Sequence, residues 1–263
     1  MNYFTWDIDP QIFHFGFLQL RWYGLFFVGS FLVGLFVIKK IFKREGIDTK
    51  PLDDLLVYAL LGAIIGARLV HCLFYEPDYY LSHPLEILYV WKGGLASHGG
   101  MIGVLVVFYI FAKKHGYSFM WLISRMTIPG TIIAASVRFG NFFNSEILGK
   151  KTDVPWAVIF KRVDNFPRHP VQLYEAFSYL TITLILWLVY KKVSKNFATK
   201  LLPALFLILL FGVRFVLEYF KTRQADYSLD IPFSVGQMLS VPMVIIGIIW
   251  MIWAFVSTPK EER

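Results

Sequence analysis

Charged residues and cysteine are scarce in this chain. Asp, Glu, Lys and Arg together make up 17% of its 263 residues, whereas a soluble domain has about a quarter. Residues with apolar side chains make up 57%, which indicates a membrane protein and excludes a disordered or collagen-like chain. The single cysteine, Cys72, excludes an intramolecular disulfide and any Cys-x-x-Cys zinc or redox motif.

Motifs for several other kinds of site are also missing. The six histidines show no i, i+4 pairing with acidic residues, so we predict no metal site, and nothing in the sequence indicates a cofactor. Ser97 is next to His98, but adjacent residues cannot form the geometry of a serine protease, and no Gly-x-Ser-x-Gly motif is present. Most of the net charge of +8 lies beside apolar runs, as is usual in membrane proteins, so it does not indicate nucleic-acid binding.

Apolar runs predict an all-α polytopic membrane protein with about seven transmembrane helices. A spanning helix needs about 20 mostly apolar residues. Such runs occupy approximately residues 18–38, 53–74, 99–112, 120–140, 172–190, 201–219 and 235–256. The third run is short and follows an irregular, glycine-rich stretch at 93–98, so six spans with a re-entrant segment are the alternative.

Basic residues beside these runs predict the orientation. One set of loops holds more Lys and Arg in shorter stretches, and the positive-inside rule places that set in the cytoplasm. The N-terminus is then outside and the C-terminus in the cytoplasm. We predict one transmembrane domain over residues 1–263, with an extracytoplasmic head inserted at 142–169. The sequence at 156–160 in this insertion predicts a short strand.

Apart from Arg21, which flanks the first span, four of the 26 Lys and Arg residues lie inside the predicted spans, and all four are arginines. They are Arg68, Arg125, Arg138 and Arg214. Each costs about 2.5–3.5 kcal/mol at a helix centre, so each needs a partner or a wet cavity. The acidic residues within or just beyond the spans that could pair with them are Glu146, Glu175 and Glu218.

Three acids against four guanidinium groups predict an excess of positive charge, and therefore a bound anion. A lipid phosphate is the candidate, because the planar guanidinium donates two parallel hydrogen bonds to phosphate oxygens and stays ionised. The alternative is that some of these arginines form structural ion pairs or reach the membrane interface. We expect this alternative for Arg125, which is close to the cytoplasmic end of its span.

The densest polar cluster is RFGNFFNSEILG at residues 138–149. Arg138 and Asn141 are spaced i, i+3 and share a helical face. Asn144 and Glu146 follow where the chain leaves the membrane. This cluster could bind a polar lipid head group, or it could cap the helix and anchor the head.

A second cluster, KGGLASHGGMIG at residues 92–103, contains His98. The histidine is at the predicted start of the third span, where backbone amides favour anions and an imidazole exchanges protons near neutral pH. The glycines have another explanation. Gly99 and Gly103 form a Gly-x-x-x-Gly pair, as do Gly62 and Gly66, and such pairs usually pack helices together.

Three shorter clusters complete the set. RHPVQLYE at residues 168–175 places Gln172 and Glu175 on one face of the fifth span, where the carboxylate could balance an arginine. Glu218 follows Arg214 by four residues and so shares its helical face. RWYG at residues 21–24 contains Tyr23, which alone would be an ordinary interfacial residue.

Together these clusters resemble one family, the prolipoprotein diacylglyceryl transferases of bacterial inner membranes, over nearly the whole chain. The most specific element is the family signature Arg-x-Gly-Asn-Phe-x-Asn-x-Glu-x-x-Gly, which residues 138–149 match at every defined position. His-Gly-Gly, His-Pro-x-Gln-Leu-Tyr-Glu and Arg-x-x-x-Glu elements occur in the expected order, together with RWYG and GQMLS.

The resemblance implies a reaction between two membrane-bound substrates, without a cofactor. The diacylglyceryl group of phosphatidylglycerol moves to the lipobox cysteine thiol of a preprolipoprotein signal peptide, a thioether forms, and glycerol phosphate leaves. In this interpretation Arg138 and Arg214 bind the phosphate, Glu218 orients Arg214, and His98 is the general base, unless cationic surroundings lower the thiol pKa enough to make a base unnecessary. The predicted substrate-binding residues are Tyr23, Arg138, Asn141, Asn144, Glu146, Gly149, Gln172 and Glu175, with Gly149 permitting a tight turn.

The second function class is a secondary transporter of an anionic substrate. Transporters also bury arginines and interrupt helices near the middle of the membrane. They usually contain paired repeats, which this sequence lacks, and their polar residues lead to the cytoplasm. The clusters here gather toward the outside in the predicted topology.

Overall fold

A computed structural model of the chain describes residues 2–15, 18–222 and 233–262. It divides into two compact units. Unit 1 comprises Met1–Val37 with Ser124–Arg263, and unit 2 comprises Ile38–Ile123.

The described residues are mostly helical. Eight α-helices are present in this part of the chain, in the order α1 Trp22–Glu45, α2 Pro51–Val70, α3 Pro77–Ser82, α4 Ser97–Lys114, α5 Phe119–Phe143, α6 Val171–Lys192, α7 Lys195–Leu217 and α8 Val235–Val256. The π-helical turn His71–Tyr75 continues α2, and the 3₁₀ turn Glu218–Phe220 continues α7. The first predicted run, at 18–38, began too early, since Leu18–Arg21 is a strand and the helix continues to Glu45.

Six of these helices are long and apolar enough to cross a membrane. Within the described ranges they are Trp22–Glu45, Pro51–Tyr75, Phe119–Phe143, Val171–Lys192, Lys195–Phe220 and Val235–Val256. The third predicted run lies in α4, which has 18 residues. Its ends are polar, because Ser97 and His98 begin it and Lys113 and Lys114 end it. The structure thus supports six spanning helices and one further long helix.

In unit 2, α4 packs on α2 through glycines. A Cβ at Gly103 would lie 2.0 Å from the carbonyl oxygen of Gly62, and a Cβ at Gly66 would lie 2.3 Å from that of Gly99. Side chains at these positions would force the helices apart. The order of the contacts makes the two helices antiparallel, and the helix-packing explanation of the two Gly-x-x-x-Gly pairs is confirmed.

Arg68 of unit 2 uses its guanidinium to bind main-chain carbonyls. It donates to the carbonyl oxygens of Glu86 at 2.6 Å, Ile87 at 3.0 Å and Gly93 at 2.7 Å. The side chain is buried, and its guanidinium carbon lies 4.8 Å from the centre of the Tyr80 ring. Arg68 therefore fastens the chain between α3 and α4 to the end of α2, and its donors are used by the protein itself.

Arg125 of unit 1 is fully buried in a similar way. It donates to the hydroxyl of Ser124 at 2.7 Å and to the carbonyl of Lys195 at 2.9 Å, and it also binds the Thr199 hydroxyl. These contacts connect α5 to the start of α7. They agree with the structural explanation expected for this arginine.

Unit 1 also contains a small three-stranded sheet. Strand β1 (Phe4–Trp6) pairs in parallel with β4 (Val158–Phe160), which pairs antiparallel with β5 (Pro167–Arg168). A hairpin of β2 (Gln11–Phe15) and β3 (Leu18–Arg21) precedes α1. The strand predicted at 156–160 is confirmed for its last three residues. The sheet also contains a strand from outside the predicted head at 142–169, and Trp6 packs with Phe142, Val158 and Phe160.

Candidate active site

The centre of the candidate site is an ion pair between α5 and α6 of unit 1. Arg138 Nε lies 3.2 Å from Glu175 Oε2, and the Glu175 side chain is completely buried. The N–H is not directed at the oxygen closely enough to form a hydrogen bond. Arg138 also donates from Nη1 to the Asn141 side-chain oxygen at 3.1 Å, as its i, i+3 spacing allows.

Asparagines hold the Glu146 carboxylate where α5 ends. The Asn141 side-chain amide donates to Oε2 at 3.1 Å, and that of Asn144 donates to Oε1 at 3.1 Å. The turn that places this carboxylate uses a positive φ at Ser145 (55°) and Ile147 (54°). Both oxygens of Glu146 therefore have a neutral donor, and the carboxylate stays at the exposed edge of the site.

Two other predicted residues position this group. Gln172 is buried at the start of α6 and donates to the Glu146 carbonyl at 2.6 Å. The Tyr23 ring, near the start of α1, packs against Gly140, where a Cβ would lie 2.7 Å from the ring. A glycine is needed at position 140 of α5 because the aromatic ring occupies the space that a side chain would fill.

Lys221 was not among the predicted site residues, yet it joins two of them. Its Nζ donates to Glu175 Oε1 at 2.9 Å and lies 3.1 Å from Glu218 Oε2. Its side chain is 8% exposed, as buried as many core residues. Lys221 lies two residues beyond the predicted run at 201–219. The available signal was its i, i+3 spacing from Glu218, which places both on one side of a helical turn.

Arg214 differs from the other site cations. Within the described residues its Nε is buried without a hydrogen-bond partner, and none of the ion pairs includes this side chain. The direct pairing with Glu218 expected from the i, i+4 spacing is therefore not observed. The physical reason is that the Glu218 carboxylate is held by Lys221 and lies against Gly236, where a Cβ would be 2.7 Å from either carboxylate oxygen.

Gly149 lies at the junction of the site and the head. Its φ is not positive, so the tight turn expected there is not the reason for glycine. A Cβ would lie 2.2 Å from the His169 carbonyl oxygen, and the residue bridges to Lys221 in an antiparallel pairing. Arg168 donates to the Gly149 carbonyl at 3.0 Å. It also donates to the Asp164 carboxylate, and this hydrogen bond lowers the pKa of that carboxyl group.

Among the described residues, the charges of the predicted site balance once Lys221 is counted, so the predicted excess of positive charge is not observed there. Arg68 and Arg125 are occupied elsewhere, as described above, and Lys221 adds a cation that the prediction omitted. The balance is between the cations Arg138, Arg214 and Lys221 and the carboxylates Glu146, Glu175 and Glu218. The case for a bound anion now depends on how the charges are paired. Among the described residues Arg138 and Lys221 contact carboxylates, and Arg214 does not.

His98 belongs to unit 2, whereas the other predicted site residues belong to unit 1. It is the second residue of α4 and is exposed. Neighbouring Gly99 is buried against α2. An exposed imidazole in the first turn of a helix is accessible to protons, and nearby N–H groups favour anions there.

Comparisons with known proteins agree with the signature around Arg138. The sequence model of the family described as prolipoprotein diacylglyceryl transferase matches residues 10–253. A phosphatidylglycerol–prolipoprotein diacylglyceryl transferase of Chloroherpeton thalassium is 51% identical, covering 100% of this chain and 98% of its own length. Proteins of the same name from Tolumonas auensis and Porphyromonas gingivalis are 48% and 38% identical, covering 94% and 99% of this chain and 96% and 98% of their own lengths.

The chain belongs to the prolipoprotein diacylglyceryl transferase family.

Membership of the prolipoprotein diacylglyceryl transferase family decides between the two function classes. The chain is a diacylglyceryl transferase, and its apolar helices make it a bacterial membrane protein. The comparisons give no support to the transporter alternative. Family membership does not by itself assign roles to side chains.

Proposed function

We propose that this chain transfers the diacylglyceryl group of phosphatidylglycerol to the lipobox cysteine of a preprolipoprotein signal peptide. The cysteine sulfur attacks the glycerol carbon that bears the phosphate. A carbon–sulfur bond forms, the carbon–oxygen bond to the phosphate breaks, and glycerol phosphate leaves with the bonding electrons. The thiol proton passes to a base or to the solvent.

Negative charge grows on the leaving phosphate during this step. Preorganised guanidinium groups lower the barrier because they are already oriented toward the place where that charge develops. We assign this function to Arg138 and Arg214. Asn141 and Glu146 hold the glycerol head group, together with Tyr23 beside them.

The remaining assignments concern the surroundings of the phosphate. Asn144 and Gln172 position Glu146, and Glu175 positions Arg138 by the contacts given above. Gly149 allows the close approach of the head to the site. Glu218 contributes a carboxylate to the surroundings of Arg214, although its ion-pair partner in the described residues is Lys221.

The observation that carries this proposal is the buried Nε of Arg214. The Arg214 side chain is half-buried, but its Nε is fully buried. A buried donor is costly unless it is used, and within the described chain this Nε has no acceptor. It shares unit 1 with Arg138, whose partner Glu175 also contacts Lys221. A phosphate oxygen is the acceptor that a diacylglyceryl transferase would supply.

The test of this function is direct. Purified protein is incubated with phosphatidylglycerol vesicles and a lipobox peptide, and the peptide is then weighed by mass spectrometry. We expect the mass of one diacylglyceryl group on the cysteine, and none on a control peptide with serine in its place. An unchanged cysteine peptide, with uptake of an anion into proteoliposomes, would instead favour transport.

We also assign His98 as the general base. Replacing it with glutamine is expected to lower the transfer rate by about 10²-fold, since a positioned base typically contributes at least this much. The matched control is His83→Gln, which changes an exposed histidine of the same unit. Full activity of the His98→Gln enzyme in the peptide assay would remove this histidine from the mechanism and leave thiol activation to the cationic site.

We propose that α4 is a seventh membrane span, in one transmembrane domain with the N-terminus outside and the C-terminus in the cytoplasm. Its support is the antiparallel packing on α2, a helix apolar enough to span, through contacts from Gly66 to Gly62. A seventh span places the two termini on opposite sides, in agreement with the basic loops.

Cysteine labelling tests this topology in a Cys72→Ser background. A cysteine in place of Ser82, before α4, is expected to react with an impermeant maleimide added outside intact cells. A cysteine in place of Lys114, at the end of α4, is expected to react only after permeabilisation. Equal labelling of both positions from outside would show that α4 does not cross.

A further inference from the structure

Lys221 joins two carboxylates that come from different helices. Glu175 lies in α6 and is completely buried, and Glu218 lies just after α7 with its side chain 15% exposed. Lysine is a compact charge with three donors, and here the Nζ is 2.9 Å from one carboxylate and 3.1 Å from the other. The ammonium group donates a hydrogen bond to Glu175 and forms an ion pair with Glu218 that is not aligned as a hydrogen bond.

Without this lysine, Glu218 has an obvious alternative partner. Residues spaced i, i+4 on a helix are neighbours and commonly form ion pairs, and Arg214 has that spacing from Glu218. The observed carboxylate instead lies against Gly236, in the first turn of α8. The N-terminal end of a helix favours a negative charge, so α8 and Lys221 together hold Glu218 away from Arg214.

We propose that Lys221 is a positioning residue that keeps the Arg214 guanidinium available for the phosphate. This inference depends on the proposed function. A carboxylate and a phosphate oxygen compete for the same N–H donors, because both form charge-assisted hydrogen bonds with guanidinium. By forming an ion pair with Glu218, the lysine removes a competitor that is spaced i, i+4 from Arg214.

The charges of the site also indicate that Lys221 favours phosphate binding. Among the described residues of the site three cations accompany three carboxylates, and loss of Lys221 takes one positive charge from the place where a phosphate must bind. The lysine also shares Glu175 with Arg138, since the two cations contact opposite oxygens of that carboxylate. Removing the lysine therefore affects the partners of both proposed phosphate-binding arginines.

The experiment measures binding of glycerol phosphate, the proposed product, as inhibition of transfer by the purified enzyme. For Lys221→Met we expect inhibition to weaken by about tenfold or more, because one partner of a buried ion pair is lost and Glu218 becomes free to pair with Arg214. Lys221→Arg keeps the charge and should restore most of the binding. The matched control is Lys150→Met, which removes an exposed lysine that lines the same hollow as Glu218 and Lys221.

A second variant separates positioning from a purely structural effect. In Lys221→Met/Glu218→Gln the competing carboxylate is gone as well, so glycerol phosphate should again bind more tightly than to Lys221→Met. The double variant leaves one unpaired carboxylate fewer than Lys221→Met, because Glu175 keeps its contact with Arg138 and Glu218 is neutral. It therefore provides the test if the single variant does not fold. We expect the double variant and Glu218→Gln alone to bind glycerol phosphate with similar affinity.

The outcomes distinguish the two proposals. If the wild-type protein neither transfers the diacylglyceryl group nor binds glycerol phosphate, the proposed function fails. If the wild type binds glycerol phosphate and Lys221→Met binds it equally well, the function stands and the positioning role is wrong. Equal weakening in Lys221→Met and in the double variant would also overturn it, since the carboxylate would then not be the competitor.

Discussion

Replacing Arg138 with glutamine is expected to lower the rate of diacylglyceryl transfer by about 10²–10³-fold, the typical effect of removing one oriented donor from a developing anion. The substitution also takes a cation from Glu175, which is completely buried. Lys221 is then the remaining cation in contact with this carboxylate among the described residues. We therefore expect a loss of thermal stability together with the loss of rate, because a buried charge with fewer partners destabilises the fold.

Transfer to a lipobox peptide and thermal unfolding in detergent measure the two effects. Arg138→Lys tests the planar fork: the charge remains, but the two parallel donors do not, so we expect activity between the wild type and the glutamine variant. Arg162→Gln is the matched control, because this arginine is exposed and its ion pair with Asp9 is 3.5 Å long. Near wild-type activity of Arg138→Gln would contradict the assigned role.

The composition of unit 1's candidate site could largely be predicted from sequence, because polar residues are costly inside a membrane. Arg138, Asn141 and Glu146 are close in sequence, and their local spacing already limits how they can meet. Glu175 was predicted as a balancing charge on the fifth span, and in the structure it contacts Arg138. The energetic cost of polar residues in a membrane and their local spacing together identify these residues without knowledge of the packing.

Lys221 could not be found in this way, because its contact with Glu175 joins residues 46 positions apart. A basic residue at the end of an apolar run is usually explained by the membrane interface. Burial and a bridging position are properties of the packed helices, not of the local sequence. The predicted excess of positive charge also came from contacts that only the packing determines, because Arg68 and Arg125 donate to carbonyl and hydroxyl groups outside the site.

Part of the fold could not be predicted from the sequence for a related reason. Strand β1 has three residues, and it pairs with β4, about 150 positions later in the chain. So short a segment has no recognisable alternation of apolar and polar residues. Gly149 was assigned to a turn because turns are the usual reason for glycine, whereas the structure shows close approach of the His169 carbonyl. Such an approach depends on tertiary structure and has no local signal.

Replacing Arg214 with methionine is expected to lower the transfer rate by about 10²–10³-fold as well, but without the loss of stability expected for Arg138. The reason is the difference between their partners. Arg138 contacts a buried carboxylate, whereas in the described chain no ion pair includes Arg214 and its Nε has no acceptor. Methionine is similar in length, and it removes a half-buried charge without leaving a protein carboxylate in the described chain unpaired.

The measurement compares transfer rate and unfolding temperature for the two variants in the same detergent. A fall in rate with stability retained would show that Arg214 acts on the substrate. A loss of about 1–3 kcal/mol of stability, as expected when a buried group loses its hydrogen-bond partner, would show that the guanidinium has a structural role in the protein. Unchanged transfer would mean that the phosphate is held elsewhere. Because a bound anion would stabilise the arginine but not the methionine enzyme, glycerol phosphate should raise the unfolding temperature of the wild type more than that of Arg214→Met.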